Sequence, residues 1–218
     1  GIYIESRSSL SIINIINTII EDNDSKNEGG GLFIESSENK ELITTLKNTT
    51  IKNNKSHSSK GGVCINSISI IAIDQCFFIN NTAIFDHPIS SMSPTSENET
   101  DFDDNIQKSF CGALFINISS SESTEIIPSL TVIESTFQEN KAEGNFGAVY
   151  LHCKDLIVSV LFDICKFKDN LAEGECGALF IEDFANSSST ISVSNALFSG
   201  NKAEGDIGGI KIESIEGK

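Results

Sequence analysis

The sequence predicts an all-β fold, a right-handed parallel β-helix (a solenoid) of about six coils with about three short strands in each coil. Three observations predict it. A pattern of roughly 30 residues recurs along the chain, the apolar residues are mainly Ile, Leu, Val, Ala and Phe, and turns rich in Gly, Asn and Ser separate short apolar segments. The fold is expected to cover residues 1–218 as one segment of a longer chain, with a loop insertion at about residues 84–110.

The first repeated pattern is a glycine, then Gly or Ala, then the first residues of an apolar strand, as in Gly112-Ala113-Leu114-Phe115-Ile116. The copies of this pattern begin at Gly30, Gly61, Gly112, Gly147, Gly177 and Gly208. Because glycine accepts positive φ without steric cost, we expect these glycines to form a tight corner between two strands.

The second repeated pattern is an apolar residue, two variable residues, Asn, one variable residue and a small residue, as in Phe137-x-x-Asn140-x-Ala142. Equivalent positions of successive coils lie above one another in a β-helix, so this pattern predicts two internal columns. One is an aromatic stack, extended by Ile20 and Ile51, and its members are Phe78, Phe137, Phe167 and Phe198. The other is a ladder of hydrogen-bonded side-chain amides, formed by Asn23, Asn54, Asn81, Asn140, Asn170 and Asn201.

A third apolar segment, such as Leu130-Thr131-Val132-Ile133, lies between the two patterns. No segment has a sustained 3.6-residue period, so helices are not available to connect parallel strands. Parallel pairing needs a long connection, and a coil of three strands supplies it because each strand pairs with its equivalent one repeat later. The alternation along a strand does not decide which residues face the interior.

The paired patterns resemble those of the polymorphic outer membrane proteins of chlamydiae and of wider Pmp-like surface repeats in the pectin-lyase-like fold group. The resemblance covers nearly the whole chain apart from the insertion, although the first two coils carry Ile where the pattern has Phe. It implies adhesion and surface display, with motifs that are structural rather than catalytic.

The charge of the chain excludes two classes of partner. The formal net charge is −16, and Arg7 is the only arginine. Nucleic acids and anionic membrane surfaces both require clusters of Lys and Arg. No apolar run approaches the roughly 18 residues of a transmembrane helix, so we expect neither nucleic-acid binding nor membrane insertion within this segment.

Seven Asn-x-Ser/Thr sequons, together with six cysteines, favour a secreted protein that is extracellular or at the cell surface. Asn23 and Asn54 occupy ladder positions, where a glycan would have no room. Glycosylation is therefore expected first at Asn98 in the insertion, and at Asn117 and Asn186 in turns that follow a strand.

Four cysteines repeat the same two positions in two coils. Cys76 and Cys165 lie five residues before a ladder asparagine, and Cys111 and Cys176 immediately precede a glycine of the first pattern. Disulfides within each coil, Cys76–Cys111 and Cys165–Cys176, would explain this duplication, and four buried thiols would explain it equally well. The other two cysteines are expected to be unpaired: Cys64 and Cys153.

Catalysis on a β-helix would need acid and base carboxylates at one site, or a calcium cluster with a basic residue. Three histidines occupy unrelated repeat positions and are expected on the solvated surface: His57, His87 and His152. No nucleophile motif, phosphate-binding loop or zinc-type spacing is present. We therefore expect no catalytic residue and no cofactor.

Acidic residues are concentrated in two places. The insertion contains weak candidates for a Ca²⁺ site, although their spacing matches no defined calcium motif: Asp101, Asp103 and Asp104. A column of glutamates follows the second pattern, where solvation and nearby lysines are expected to offset the repulsion of like charges: Glu143, Glu173 and Glu204.

These features together predict a non-catalytic structural and adhesive repeat module of an extracellular surface or fibre protein. Its partners would be flanking coils of the same or a neighbouring chain, and a protein or glycan ligand on a lateral face or on the insertion. The alternative is a carbohydrate-active β-helix enzyme, such as a polysaccharide lyase or hydrolase, or a glycan-binding module. Clustered carboxylates in a lateral groove would favour that alternative.

Overall fold

A computed structural model of the chain describes residues 1–8, 10–36, 41–84, 111–119, 127–184 and 189–214. Four parallel sheets run along the chain, and each strand pairs with the equivalent strand of the next coil. Helices are absent from the described ranges, so none of the described residues forms a helix that could cross a membrane. The predicted parallel β-helix is confirmed.

Each coil contains four strands, one for each sheet, rather than the three that were predicted. Sheet A contains β1 (Ile2–Ser6), β5 (Leu32–Ser36), β9 (Val63–Asn66), β13 (Leu114–Ser119), β17 (Val149–Lys154), β21 (Leu179–Phe184) and β25 (Ile210–Ser214). Sheet B contains β2 (Leu10–Ile16), β6 (Glu41–Lys47), β10 (Ile68–Asp74), β14 (Ser129–Ile133), β18 (Ser159–Asp163) and β22 (Thr190–Ser194).

The other two sheets are narrow. Sheet C contains β3 (Ile19–Glu21), β7 (Thr50–Lys52), β11 (Phe77–Ile79), β15 (Thr136–Gln138), β19 (Lys166–Lys168) and β23 (Leu197–Ser199). Sheet D contains β4 (Asp24–Ser25), β8 (Lys55–Ser56), β12 (Thr82–Ala83), β16 (Lys141–Ala142), β20 (Leu171–Ala172) and β24 (Lys202–Ala203). Because six strands are joined by about five steps, the described solenoid has about five turns, slightly fewer than predicted.

The predicted aromatic stack lies in the interior. Phe137 is buried between Phe78 and Phe167, with ring centroids 4.7 Å and 4.9 Å away and nearly parallel planes. Phe198 continues the stack 4.7 Å beyond Phe167. The register pairs Phe78 with Ile51, so isoleucine takes the place of the ring in the first coils, as predicted.

The asparagine ladder is also present, and it uses every polar atom of the amide. Asn140 donates from Nδ2 to Asn170 Oδ1 at 2.9 Å and to the carbonyl oxygen of Phe78 at 2.9 Å. Its Oδ1 accepts from both the backbone N and the Nδ2 of Asn81, each at 3.0 Å. Equivalent bonds link each neighbouring pair from Asn23 to Asn201. The amides therefore provide hydrogen-bond partners for backbone N–H and carbonyl groups at a buried corner of the coil, where no sheet hydrogen bond is available.

Positive φ occurs beside the ladder, not at the repeated glycines. Each coil has two such residues at equivalent positions, one before sheet C and one before the ladder asparagine, and Gly29 and Asp155 are two more outside this pattern. Those before sheet C are Asn17, Asn48, Gln75, Glu134, Ile164 and Asn195, and those before the ladder are Asp22, Asn53, Asn80, Glu139, Asp169 and Gly200. The expectation that the repeated glycines supply the left-handed corner is wrong.

The repeated glycines are needed because no Cβ fits at their positions. A Cβ on Gly177 would lie 2.5 Å from the carbonyl oxygens of Gly208 and Lys202, far inside van der Waals distance. The same backbone clash arises at Gly30, Gly61, Gly112 and Gly147. Successive coils and the adjacent turn therefore approach one another here more closely than any side chain allows.

Replacing Gly177 by alanine is expected to lower the free energy of unfolding by about 3 kcal/mol, because backbone oxygens cannot retreat without breaking the sheet ladder. Gly209→Ala is the matched control, since a Cβ on Gly209 meets no atom within 4 Å. Urea denaturation of both variants measures the difference. Equal stabilities would show that the coils can separate locally at no cost.

Candidate functional site

A second apolar cluster lies on the outer face of sheet A. One outward residue of each strand belongs to a column that is aromatic in five of its seven members: Tyr3, Phe33, Cys64, Phe115, Tyr150, Phe180 and Lys211. The residue before each leading glycine adds a second row: Lys60, Cys111, Phe146, Cys176 and Ile207. Phe146 stacks on Tyr150 with a centroid separation of 4.1 Å, so the two rows pack together.

A polar column runs beside these aromatic rings, two residues further along each strand. Its members are Glu5, Glu35, Asn66, Asn117, His152, Glu182 and Glu213. Residues two apart on a strand point to the same side, so this polar column of sheet A also lies outside the solenoid. Carboxylate, amide and imidazole groups follow one another along it at the strand spacing of about 4.8 Å.

Three side chains of this face form a hydrogen-bonded cluster. The Tyr150 hydroxyl donates to Oε2 of Glu182. Nδ1 of His152 lies 2.9 Å from the same Oε2 and 3.3 Å from the Tyr150 hydroxyl. His152 is only 3% exposed, so the expectation of a solvated surface histidine is wrong for this residue. A tyrosine and a glutamate compensate the burial of the imidazole, which a single sequence position does not reveal.

Two polar atoms next to this cluster are buried without a hydrogen-bond partner among the described residues. They are Nε2 of His152 and Oδ1 of Asn117, and the two residues are direct partners in neighbouring strands. If His152 donates from Nδ1 to Glu182, its Nε2 is an acceptor. The two atoms are then buried acceptors without a donor, on neighbouring strands of the same face.

The electrostatic surroundings favour the ionised form of Glu182. Burial, the largest influence, opposes ionisation, but the hydrogen bonds from His152 and Tyr150 together outweigh it and hold the pKa of Glu182 below its ordinary value. In the next strand, β25, Lys211 takes the position that is aromatic in most of the column. Its Nζ lies 5.0 Å from the Phe180 ring centroid. Burial tends to lower the pKa of Lys211, yet its bonds to Glu213 and Glu175 raise it.

The lowered pKa of Glu182 has a consequence for acid stability. A carboxyl group with a lowered folded pKa stabilises the protein fully above its unfolded value of about 4.5, and this contribution is lost as the pH falls through the folded value. We expect Glu182→Gln to cost about 1.5–3 kcal/mol at pH 7, the range for a hydrogen bond to a charged group. The difference from the native chain should shrink below about pH 4.5.

Urea denaturation at pH 7, 5 and 3 measures this change, with Glu204→Gln as the control because Glu204 is an exposed carboxylate of the same solenoid. A cost for Glu182→Gln that does not vary with pH would show that packing, and not the charge, stabilises this cluster.

All six cysteines are free and buried, so of the two alternatives the structure has buried thiols, and the disulfides Cys76–Cys111 and Cys165–Cys176 are not formed. The physical reason is that the two members of each pair face different cores. Cys76 and Cys165 belong to the interior, whereas Cys111 and Cys176 belong to the outer cluster of sheet A. Burial raises the pKa of Cys111 to about 12 and that of Cys165 to about 11, which keeps both as thiols.

The two cysteines that were expected to be unpaired are unpaired. Cys64 takes the aromatic position of the outer cluster, and Cys153 lies in the interior. Burial raises the pKa of both thiols, with Glu28 adding to the effect at Cys64 and Asp183 at Cys153. Neither thiol is therefore a reactive nucleophile at neutral pH.

The structure describes one more histidine, His57, and the sequon residues Asn54 and Asn117, on which predictions were made. His57 is partly buried, and its Nε2 lies 2.8 Å from Oδ1 of Asp24. Asn54 is fully buried in the ladder, as predicted. Asn117 lies within β13 and not in a turn, so the expected room for a glycan there is absent. The remaining predicted positions fall outside the described residues: His87, Asn98 and Asn186.

The glutamate column is exposed at Glu143, Glu173 and Glu204, and Lys141 lies 3.3 Å from Glu173. The structure does not describe Asp101, Asp103 or Asp104, the calcium candidates of the insertion. In the part of the chain that it does describe, no group of three His, Cys, Asp or Glu side chains is placed to hold a metal ion.

The sequence did not predict the outer cluster or the Tyr150–His152–Glu182 contacts. One signal was available: Tyr150 and His152 are two residues apart in a strand, and Glu182 follows His152 by one repeat of 30 residues. Applying the repeat register to strand residues, and not only to turns, would have placed these groups together.

The comparisons with known proteins add no relative. No protein-family model matches the chain, and neither the curated proteins nor the solved structures contain a match.

Proposed function

We propose that this chain is a non-catalytic structural and adhesive repeat module of an extracellular surface or fibre protein. The observation that carries the proposal is the continuity of its columns. The phenylalanine stack and the asparagine ladder each contribute one side chain per coil, and each member bonds or packs against both neighbours. Such a chain resists bending and local opening, because breaking one coil disrupts contacts on both sides of it.

The sequons support the extracellular location, whereas the free cysteines add nothing to it. A buried thiol with a raised pKa is slow to oxidise, so it can persist outside the cell. The lateral faces of the rod are the contact surfaces for a protein or glycan ligand, and flanking coils are further partners.

Antibodies against the purified chain test the location when they are applied to intact and to permeabilised cells of its source. Labelling of intact cells supports the proposal, and labelling only after permeabilisation overturns it. Adhesion is tested with beads that carry the folded chain or the same chain after heat denaturation. Retention of the first beads alone on glycan-coated or protein-coated surfaces supports a role of the folded lateral faces.

One observation favours a second candidate, a glycan-binding or carbohydrate-active module. His152 and Asn117, each with a buried acceptor atom that lacks a donor, belong to the same polar column as Glu182 and Glu213 on the outer face of sheet A. Incubation with a panel of neutral and acidic polysaccharides tests it, with new reducing ends and unsaturated sugar products as readouts. Turnover that disappears in His152→Asn would establish this candidate in place of the first.

A further inference from the structure

The outer face of sheet B differs in charge from the rest of the surface. Its two central columns contain twelve outward side chains, and none of them is charged. One column consists of Ile12, Ile43, Ile70, Ser129, Ser159 and Thr190. The other consists of Asn14, Thr45, Ala72, Thr131, Leu161 and Ser192.

The isoleucine column of this face is accessible in the first three coils. Ile12 is 63% exposed and Ile70 is 36% exposed. Charged residues in the strands of sheet B appear only in its two edge columns: one contains Glu41, and the charges of the other are paired within the chain. Lys47 lies 2.8 Å from Asp74, and Asp163 accepts hydrogen bonds from Ser194 and Asn195. An uncharged centre with a polar rim is the usual anatomy of a protein interface.

The dimensions of the face are those of a modest protein interface. Six strands spaced by about 4.8 Å and outward residues spaced by about 6.8 Å give roughly 700 Å². A standard interface buries about 800 Å² on each partner, so a contact that covers most of this face would be a small and reversible interface.

We propose that this face is a self-association surface, on which two copies of the chain pack side by side. The net charge of −16 makes two copies repel one another, and an uncharged face is where they approach at the lowest electrostatic cost. A second copy also has the same strand spacing, so its rows of side chains stay in register with the rows of the first along the whole length.

The most favourable arrangement has a two-fold axis parallel to the solenoid axis. Each coil then faces its own equivalent, and an axis that passes over the column of Ile12, Ile43 and Ile70 packs this column against the same column of the other copy. The reverse orientation would place these isoleucines against Ser129, Ser159 and Thr190, which leaves apolar surface opposite hydroxyl groups. The proposal depends on the sheet geometry alone, and not on an extracellular location or an adhesive role.

Sedimentation velocity of the native chain over a range of concentrations tests the proposal, with Ile43→Lys as the variant. We expect a reversible dimer whose dissociation constant rises at least about tenfold in this variant, because the two-fold axis over the isoleucine column brings the two new charges together. Thr136→Lys is the matched control: it adds the same charge at an outward threonine of sheet C, and it should leave the dimer unchanged.

Salt supplies a second readout. Screening of the repulsion between two acidic chains should strengthen the dimer as the ionic strength rises. A monomer at all concentrations would overturn the proposal, and so would a dimer that Ile43→Lys and Thr136→Lys weaken equally. A dimer that dissociates at high salt would also overturn it, because ion pairs would then hold the copies together. Thermal unfolding of each variant confirms that the outward substitutions leave the fold intact.

Discussion

Asn140→Ala is expected to lower the free energy of unfolding by about 4 kcal/mol, because it leaves buried donors without acceptors at about 1–3 kcal/mol each. Asn140 Oδ1 is the acceptor for the backbone N and the Nδ2 of Asn81, both at 3.0 Å. Alanine removes that oxygen, and the corner where Asn81 lies is fully buried, so water does not replace it. The ladder is interrupted at its centre.

Asn14→Ala is the control for this prediction. Asn14 is an exposed residue of β2 on the outer face of sheet B, and its removal should change stability by no more than about 0.5 kcal/mol. Urea denaturation of the two variants measures the difference. If Asn140→Ala cost no more than Asn14→Ala, the ladder would be a consequence of the fold and not one of its supports.

Phe78→Ala is expected to cost about 3–5 kcal/mol, the range for removing a large buried ring. Phe78 is fully buried, and its ring lies 4.7 Å from that of Phe137. The loss combines the transfer energy of the ring with a cavity that the stacked coils cannot close, since their spacing is set by the sheet hydrogen bonds.

Phe77 provides a control one residue away in the same strand. It points outward and is 45% exposed, so Phe77→Ala should cost about 1 kcal/mol or less. Comparison of the two denaturation midpoints tests the direction of each side chain directly. A larger cost for Phe77 than for Phe78 would reverse the assignment of interior and exterior in sheet C.

The repeat in the sequence was sufficient to predict the fold, the phenylalanine stack and the asparagine ladder. The physical reason is translational: in a solenoid, equivalent residues of successive coils lie above one another at the strand spacing. Once the copies are aligned, Phe137 must neighbour Phe167, and Asn140 must neighbour Asn170. No knowledge of the cross-section of the coil is needed for this step.

The cross-section itself was decided only by the tertiary structure. Strands such as Leu114-Phe115-Ile116 are apolar at every position, so alternation alone does not show which residues face inward. The structure places Leu114 and Ile116 in the interior and Phe115 in an outer cluster. Phe115 is only 1% exposed there, and Tyr150 and Lys60 both lie against its ring.

The chemistry of individual residues followed from this cross-section. Cys76 and Cys111 are separated by sheet A because one faces inward and the other outward, which prevents the disulfide that their repeat positions had suggested. The same outward direction brings His152 to Glu182. The sequence by itself therefore determined which residues stack along the axis, through the repeat period. The tertiary structure decided which side of each sheet they occupy. Side chains alternate between the two faces of a strand, and this alternation is the same whichever face is the inner one.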